Sequence, residues 1–426
     1  MRLNRKIIEN ATALGILQLS NYVFPFLTVP YLSRILSIEH YGLILFSLSF
    51  TTYFSILCDY GFGLSATKEV AVKSHQPEQL NQIVSNVILI KFALLLVSIV
   101  INLIIVFSFA KFRDYWFIYV INLLSLINNV FFPTWFFQGM EKMRIITTIQ
   151  LIMRLISVAA IFLLIHQDTQ YYLWPLINAA TAIASAIYAQ YILIKYFKIK
   201  YVLPNFAQLK HQLSEGWHIF ISTVAISLYT VSNSFFLGML TSTAMVAYYA
   251  SAEKILTAVQ GLLGPVSQAI FPHLTKAINQ DKGHGIKLLQ KALFYIGGFG
   301  LAVSIGLYLG APLIVKIMFG HKYQLATTQV LQILAALPFV ICLSNILGIQ
   351  TMLPFGLTKP FSRILILSSI CNVALILILV PRYSYIGSAI SVLITECFVT
   401  TMMVLYLQRN GIYVWRGKLR KAMYEN

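Results

Sequence analysis

Charge is what this sequence has least of. Asp, Glu, Lys and Arg make up 10% of its 426 residues, where an average soluble domain carries about a quarter. Acidic side chains are the scarcer sign, 13 against 31 basic. A water-soluble globule cannot be closed over with so little polar surface. Catalytic and metal signatures are missing as well. Cys58, Cys342, Cys371 and Cys397 form no CxxC pair and all fall in apolar stretches, so they read as small apolar side chains. The eight histidines never form HxxxH. No metal and no other cofactor is expected. The lack of a Walker loop or a Gly-rich dinucleotide turn speaks against ATP as a direct energy source. Long loops are also absent: the two longest lie near 65–83 and 195–215. A membrane polymerase of lipid-linked sugars, one rival reading, should instead carry a sizeable loop for its acceptor.

What is present is apolar sequence, 58% of the chain, gathered into runs of about 20 residues that suffice for roughly 30 Å of hydrocarbon. Twelve spans are expected, at 11–36, 41–64, 84–107, 115–137, 143–165, 171–194, 216–240, 243–270, 289–312, 326–353, 361–381 and 384–408. The first holds Gln18 and Asn21 and no small-residue cleavage pattern follows it, so it reads as a span and not as a signal peptide. Counting residues at span ends with the neighbouring loops, 21 of the 31 Lys and Arg fall on the N-terminal side of the membrane, six on the other and four further inside spans. The richer side is expected in the cytosol, with both termini. The net charge of +18 then has a membrane origin, its largest group being Arg409, Arg416, Lys418, Arg420 and Lys421 in a tail suited to anionic lipid. Nucleic acid is not an expected partner. In "NNVFFPTWFFQGMEKMR", residues 128–144, Trp135, Phe136 and Phe137 are expected to anchor span 4 at the cytosolic interface. Pro133 should kink its last turn, and Gln138 to Arg144 should form the inner turn into span 5.

A weak repeat runs through the chain. "LSRILSIEHYGLILFS" from Leu32 lies on "LGMLTSTAMVAYYAS" from Leu237, at an offset of about 205 residues. Each piece joins a first span to a second, and an amphipathic segment follows both second spans. Two six-helix lobes, 1–200 and 201–426, are expected, rocking around a site between them.

Polar stripes at helical spacing say which helices line that site, because lipid-facing positions cannot carry them cheaply. Span 1 has Gln18, Asn21, Pro25 and Thr28; span 7 has Thr223, Ser227, Thr230 and Ser234, with Asn233 beside them. Span 2 offers Thr52, Ser55 and Asp59; span 5 offers Thr147, Gln150, Arg154 and Ser157; span 8 offers Tyr249, Glu253, Thr257 and Gln260. A shared aqueous cavity accounts for five such stripes better than dry bonding between helices does. Arg154 and the Glu253-Lys254 pair are the deepest charges, each costing about 2.5 to 3.5 kcal/mol at a helix centre. Lys91, Arg363 and Glu396 lie nearer span ends, and Arg34, Lys316 and Arg382 near the outer face, where long side chains can snorkel. Arg154 and Lys254, helped by Arg34 and Lys91, are expected to bind an anionic group such as a diphosphate. Gln18, Asn21, Gln150, Asn233, Tyr249 and Gln260 supply polar contacts, and Glu253, Asp59 and Glu396 are the candidates for ion coupling.

"PTWFFQGMEKM", "YGFGLSATKEVA", "VAYYASAEKI" and "AIFPHLTK" make the chain resemble, over nearly its whole length, the polysaccharide-biosynthesis flippases of the O-antigen (Wzx-like) type. Their superfamily also holds the multidrug and toxin extruders and the lipid II flippase. The resemblance implies an all-α polytopic membrane protein, with twelve transmembrane helices in two pseudo-symmetric lobes around a V-shaped central cavity. It implies transport of an undecaprenyl-diphosphate-linked oligosaccharide between leaflets of the bacterial inner membrane, without covalent chemistry. Proton or sodium exchange drives some members, and a polymerase of the same pathway is an implied partner. Relatives often carry an aspartate in the "NSFFLG" stretch of span 7; this chain has Asn233 and Ser234. A small-molecule exporter of the same fold, the other rival, would need an acidic cavity, against the balance of deep charges here. The topology has a direct test. A reporter active only in the periplasm, fused after Asn426, is expected to stay silent, and activity there would reverse the assignment of sides.

Overall fold

The structure, a computed structural model, describes residues 2–419. The side chains of residues 1–8, 11, 14, 225–226, 228–230, 262–263, 265–266, 268–269 and 419 lie outside that description, and so do Arg420 and Lys421 of the basic tail and the side chain of Thr230. The chain divides into two compact units, Met1–Val224 and Ala225–Asn426.

The first unit holds α1 (Arg2–Ile35), α2 (Ile38–Asp59), α3 (Phe62–Val72), α4 (Pro77–Ser108), α5 (Ala110–Arg113), α6 (Trp116–Leu124), α7 (Leu126–Phe131), α8 (Thr134–Gly139), α9 (Met143–Leu164) and α10 (Leu173–Lys195). α11 (Phe206–Thr230) begins in the first unit and crosses into the second. The second unit continues with α12 (Ser232–Leu240), α13 (Thr243–Gln280), α14 (Lys282–Phe319), α15 (Gln324–Leu334), α16 (Leu337–Leu347) and α17 (Thr358–Arg409). A two-residue antiparallel pair, β1 (Ile412–Tyr413) with β2 (Lys418–Leu419), closes the described chain.

Among the described residues eight helical segments are long and apolar enough to cross a membrane. The last, α17, has 52 residues, about 78 Å at 1.5 Å per residue, more than two bilayer cores. It breaks at Ser384, whose φ of 51° and ψ of −129° are non-helical. Pro381 precedes the break, and Gly387 follows it where a Cβ would lie 2.4 Å from the Leu379 carbonyl oxygen. Two spans therefore occupy α17. With α1, the α11–α12 pair and α13, the expected twelve all have helices. The repeat is visible in the layout: Ser37 and Ser242, 205 residues apart, are the N-caps of α2 and α13.

Aromatic order around Pro133 has a different use from the one expected. Pro133 does interrupt span 4, separating α7 from α8. Trp135, Phe136 and Phe137 then turn inward and are 1%, 0% and 0% exposed, so they are core and not interfacial anchors. They pack with Val70, Val84 and Leu193 in the main apolar cluster of the first unit, and Phe197 meets the Phe136 ring edge-on at 5.1 Å. Thr67 on α3 donates to the Trp135 carbonyl at 3.2 Å. Burying three large rings against protein is worth several kcal/mol, which headgroup contact could not match once α3 offers a covering surface. The second unit has its own cluster, with Leu274, Ile286, Leu289, Val399, Met403 and Val414. The tail beyond Arg409 folds onto this cluster: Ile412 and Val414 are buried, and Gln290 on α14 donates to the Trp415 carbonyl at 3.0 Å.

The α3–α8 contact depends on Gly139, where a Cβ would stand 2.7 Å from the Val70 Cβ and 2.9 Å from the Thr67 carbonyl oxygen. Gly139→Val is expected to destabilise the first unit by about 1–3 kcal/mol through overpacking, measured as a lower melting temperature of the protein in detergent. Unchanged melting would show that α3 is not held by this contact.

Candidate functional site

In the first unit the stripe of span 5 opens into a polar cavity of about 270 Å³ among α7, α9 and α10. Gln150, Arg154 and Ser157 contribute one wall, and Asn128, Asn178 and Thr181 the others. Arg154 Nη1 donates to Ser20 Oγ of α1 at 3.3 Å, and Ser157 Oγ donates to Asn178 Oδ1 at 3.0 Å. Among the described residues no carboxylate stands within ion-pair distance of Arg154. Thr147, the fourth member of the stripe, instead donates to the Ala13 carbonyl at 2.9 Å and ties α9 to α1. The Arg154 guanidinium thus brings five donors inside a span to the wall of a neutral polar cavity. The opposite wall, Asn178, Thr181 and Ser185, was legible as a stripe with spacings of three and four on α10, yet sequence reading passed it by because it carries no charge.

Lys91 and Asp59 were given separate tasks on sequence grounds, and the structure brings them together. Lys91 Nζ donates to Asp59 Oδ1 at 3.2 Å, with the lysine side chain 3% exposed. Asn129 Nδ2 on α7 donates to Ser55 Oγ at 2.9 Å. Ser55 and Asp59 of the span 2 stripe are thus engaged from α7 and α4, bonding between helices in place of the expected cavity lining, while Thr52 donates to the Leu48 carbonyl of its own helix at 2.9 Å. Lys91 does not snorkel.

In the second unit Glu253 lies half-buried on α13 and accepts hydrogen bonds from Ser234 Oγ at 3.0 Å and Tyr249 Oη at 3.4 Å. Ser234 comes from α12, where Asn233 beside it is also buried. Lys254 follows in the next position, and Gln260 lies two turns on, both half-buried. Glu396 on α17 is 7% exposed, and among the described residues its Oε2 has no hydrogen-bond partner. Nearby in sequence, Asn372 Nδ2 donates to Thr395 Oγ1 at 3.0 Å, a buried link between the two halves of α17 that sequence reading missed. Gln18, Asn21 and Arg34 are exposed on α1, Gln18 donating to Tyr22 Oη at 3.2 Å. Within the first unit the other predicted residues therefore fall into the Arg154 cavity and the Lys91–Asp59 pair, and within the second Glu253 gathers Ser234 and Tyr249.

Helical spans, internal polar clusters and a repeated six-span layout define a polytopic membrane transporter fold. Solved structures agree. The inward closed conformation of the lipid II flippase MurJ is similar over 94% of this chain and 87% of its own, with a TM-score of 0.68 and 16% identity. The inward-facing conformation of a multidrug resistance MATE family transporter of the MOP superfamily is similar over 94% and 97%, with a TM-score of 0.70 and 13% identity. A family model described as "Polysaccharide biosynthesis protein" matches residues 7–278, and the chain belongs to that family. A "Putative O-antigen transporter" of Escherichia coli (strain K12) is 33% identical over 406 residues, 95% of this chain and 98% of the relative. A protein of the same description from Shigella dysenteriae is 31% identical over 93% and 98%. A "Capsular polysaccharide biosynthesis protein CapF" of Staphylococcus aureus is 22% identical over 68% and 74%.

The Lys91–Asp59 pair can be separated from substrate handling by its stability signature. Asp59→Asn leaves a buried ammonium without its counter-charge and is expected to cost on the order of 1–3 kcal/mol, since Asp59 is partly exposed and water softens the loss. The double variant Lys91→Met/Asp59→Asn should recover most of that melting temperature. A double variant no more stable than the single one would give Lys91 a role other than pairing.

Proposed function

We propose that this protein is a flippase that moves an undecaprenyl-diphosphate-linked oligosaccharide, a repeat unit of O-antigen or capsule, from the cytoplasmic to the periplasmic leaflet of the bacterial inner membrane. The relatives' descriptions supply the pathway. The observation that carries the mechanism is Arg154, a cation set inside a span before a neutral polar cavity. Such a group costs about 2.5 to 3.5 kcal/mol in the membrane without a use, and a diphosphate supplies the charge it lacks. Planar, forked donors suit two phosphate oxygens at once. The polyprenyl tail stays in lipid while the sugars pass among polar side chains, and the two lobes, 1–200 and 201–426, alternate in opening. Lys254 contributes the second cation from the second lobe. Both termini lie in the cytosol.

Nothing in this cycle makes or breaks a covalent bond, so the protein is a carrier and not an enzyme. Coupling to a proton or sodium gradient falls to Glu253 and Glu396, since Asp59 is already matched by Lys91. Glu253 is the better placed of the two for exchange, held by two hydroxyls that can accept its rearrangement. Glu253→Gln should then stop gradient-driven transport while leaving substrate binding in place.

The diphosphate assignment is tested in a strain lacking its own copy. Arg154→Gln and Lys254→Gln should each lose a charge-assisted contact of roughly 1.5 to 3 kcal/mol, about tenfold or more in affinity. Surface polysaccharide should fall and lipid-linked precursor should accumulate inside. Arg154→Lys should rescue in part, and Lys316→Gln and Arg382→Gln should behave as wild type. Normal polymer from both deep variants, at native membrane levels, would remove the cations from the mechanism.

A further inference from the structure

A second basic cavity lies away from Arg154, at the membrane face that carries the Lys- and Arg-rich loops. About 540 Å³ in volume, it is bounded by Lys142 and Arg144 at the start of α9 and by Lys195 at the end of α10, with Tyr191 and Tyr196 beside them. Ile145 and Ile192 complete the lining. Among the described residues none of the three cations makes an ion pair. The nearest acid in sequence, Glu141, stands in the preceding turn and is not part of the lining. Three positive charges thus converge on one opening.

The two helices say what approaches it. On α9 Arg144, Thr148, Ile152 and Ile156 are exposed one turn apart, with Leu155 and Ala159 exposed beside them. On α10 Ala184, Ile187, Tyr191 and Lys195 are exposed at helical spacing, with Tyr188 and Ile194 beside them. Apart from Thr148 both faces are apolar or aromatic along the bilayer, and both end in cations at the cavity. Tyr and Arg at such a level are the side chains that meet headgroups, and basic pockets between spans on the cytoplasmic side suit anionic lipid heads. We infer that Lys142, Arg144 and Lys195, with Tyr191 and Tyr196, form a site for the phosphate headgroup of an anionic glycerophospholipid, whose two acyl chains lie along the exposed stripes of α9 and α10. Two stripes flanking one basic opening match a two-chain lipid. A polyprenyl diphosphate has one chain and would leave a stripe uncovered. The site is therefore distinct from the substrate path, and it fixes the end of α9, the helix that carries Arg154.

The test is native mass spectrometry of the full chain in detergent, titrated separately with phosphatidylglycerol, phosphatidylethanolamine and undecaprenyl phosphate. Wild type should retain phosphatidylglycerol in preference to the other two. Arg144→Gln/Lys195→Gln should lower that retention about tenfold or more, while Lys287→Gln/Lys291→Gln, which removes equal charge elsewhere, should leave it unchanged. Should the first double variant fail to elute as a single species, Lys142→Gln and Tyr191→Leu carry the same comparison. Equal loss in both double variants would reduce the effect to general surface charge and overturn the site. Stronger retention of undecaprenyl phosphate, abolished by the same substitutions, would overturn the phospholipid assignment in favour of substrate capture. Neither result bears on Arg154, whose variants are scored by transport.

Discussion

A bilayer offers no solvent to a polar group, and each charge inside a span must find its answer within the protein or in what the protein carries. That constraint sorts the charged residues here into distinct solutions. Lys91 is answered by Asp59 across 3.2 Å. Glu253 is answered by the hydroxyls of Ser234 and Tyr249. Arg154 has a serine hydroxyl and a neutral cavity, which leaves its charge available. A transporter of anionic lipid-linked sugar needs this third arrangement, because an arginine already matched by a carboxylate would have little to gain from a diphosphate.

The same constraint decided how much could be read before the structure. Spans are set by length and apolarity, both local, so all twelve were legible, and the offset of about 205 residues between the two stretches returns in the structure as the N-caps Ser37 and Ser242. The break at Ser384 within α17 was legible too, as the gap between two apolar runs that together exceed any bilayer. Pairings across helices were not. Lys91 and Asp59 lie 32 residues apart, and nothing in either stripe says that one helix turns the lysine toward the other. Trp135, Phe136 and Phe137 were misread for a related reason. Aromatic residues beside charges look alike whether they face headgroups or a covering helix, and the cover, α3 held at Gly139, becomes visible when the segments are packed.

Of the five polar stripes, span 5 surrounds a cavity and span 2 is consumed by contacts between helices. The difference lies in the partner. α9 faces Asn178 and Thr181 on α10, and Asn178 is taken by Ser157, which leaves the space before Arg154 open, whereas on α2 Ser55 is met by Asn129 and Asp59 by Lys91. Periodicity identifies a polar face, and whether the opposing side chains pair with it decides if that face becomes a cavity or a seam.

The central claim is movement of a lipid-linked glycan between leaflets, and the direct measurement is flipping by the purified protein alone. Vesicles containing it would be loaded with a fluorescent undecaprenyl-diphosphate-linked oligosaccharide in both leaflets, and a membrane-impermeant quencher added outside. The account predicts that the pool protected in protein-free vesicles becomes quenchable with time, and that Arg154→Gln slows this loss of protection. A protected pool that stays constant in vesicles holding folded protein, with or without a proton or sodium gradient, would contradict it.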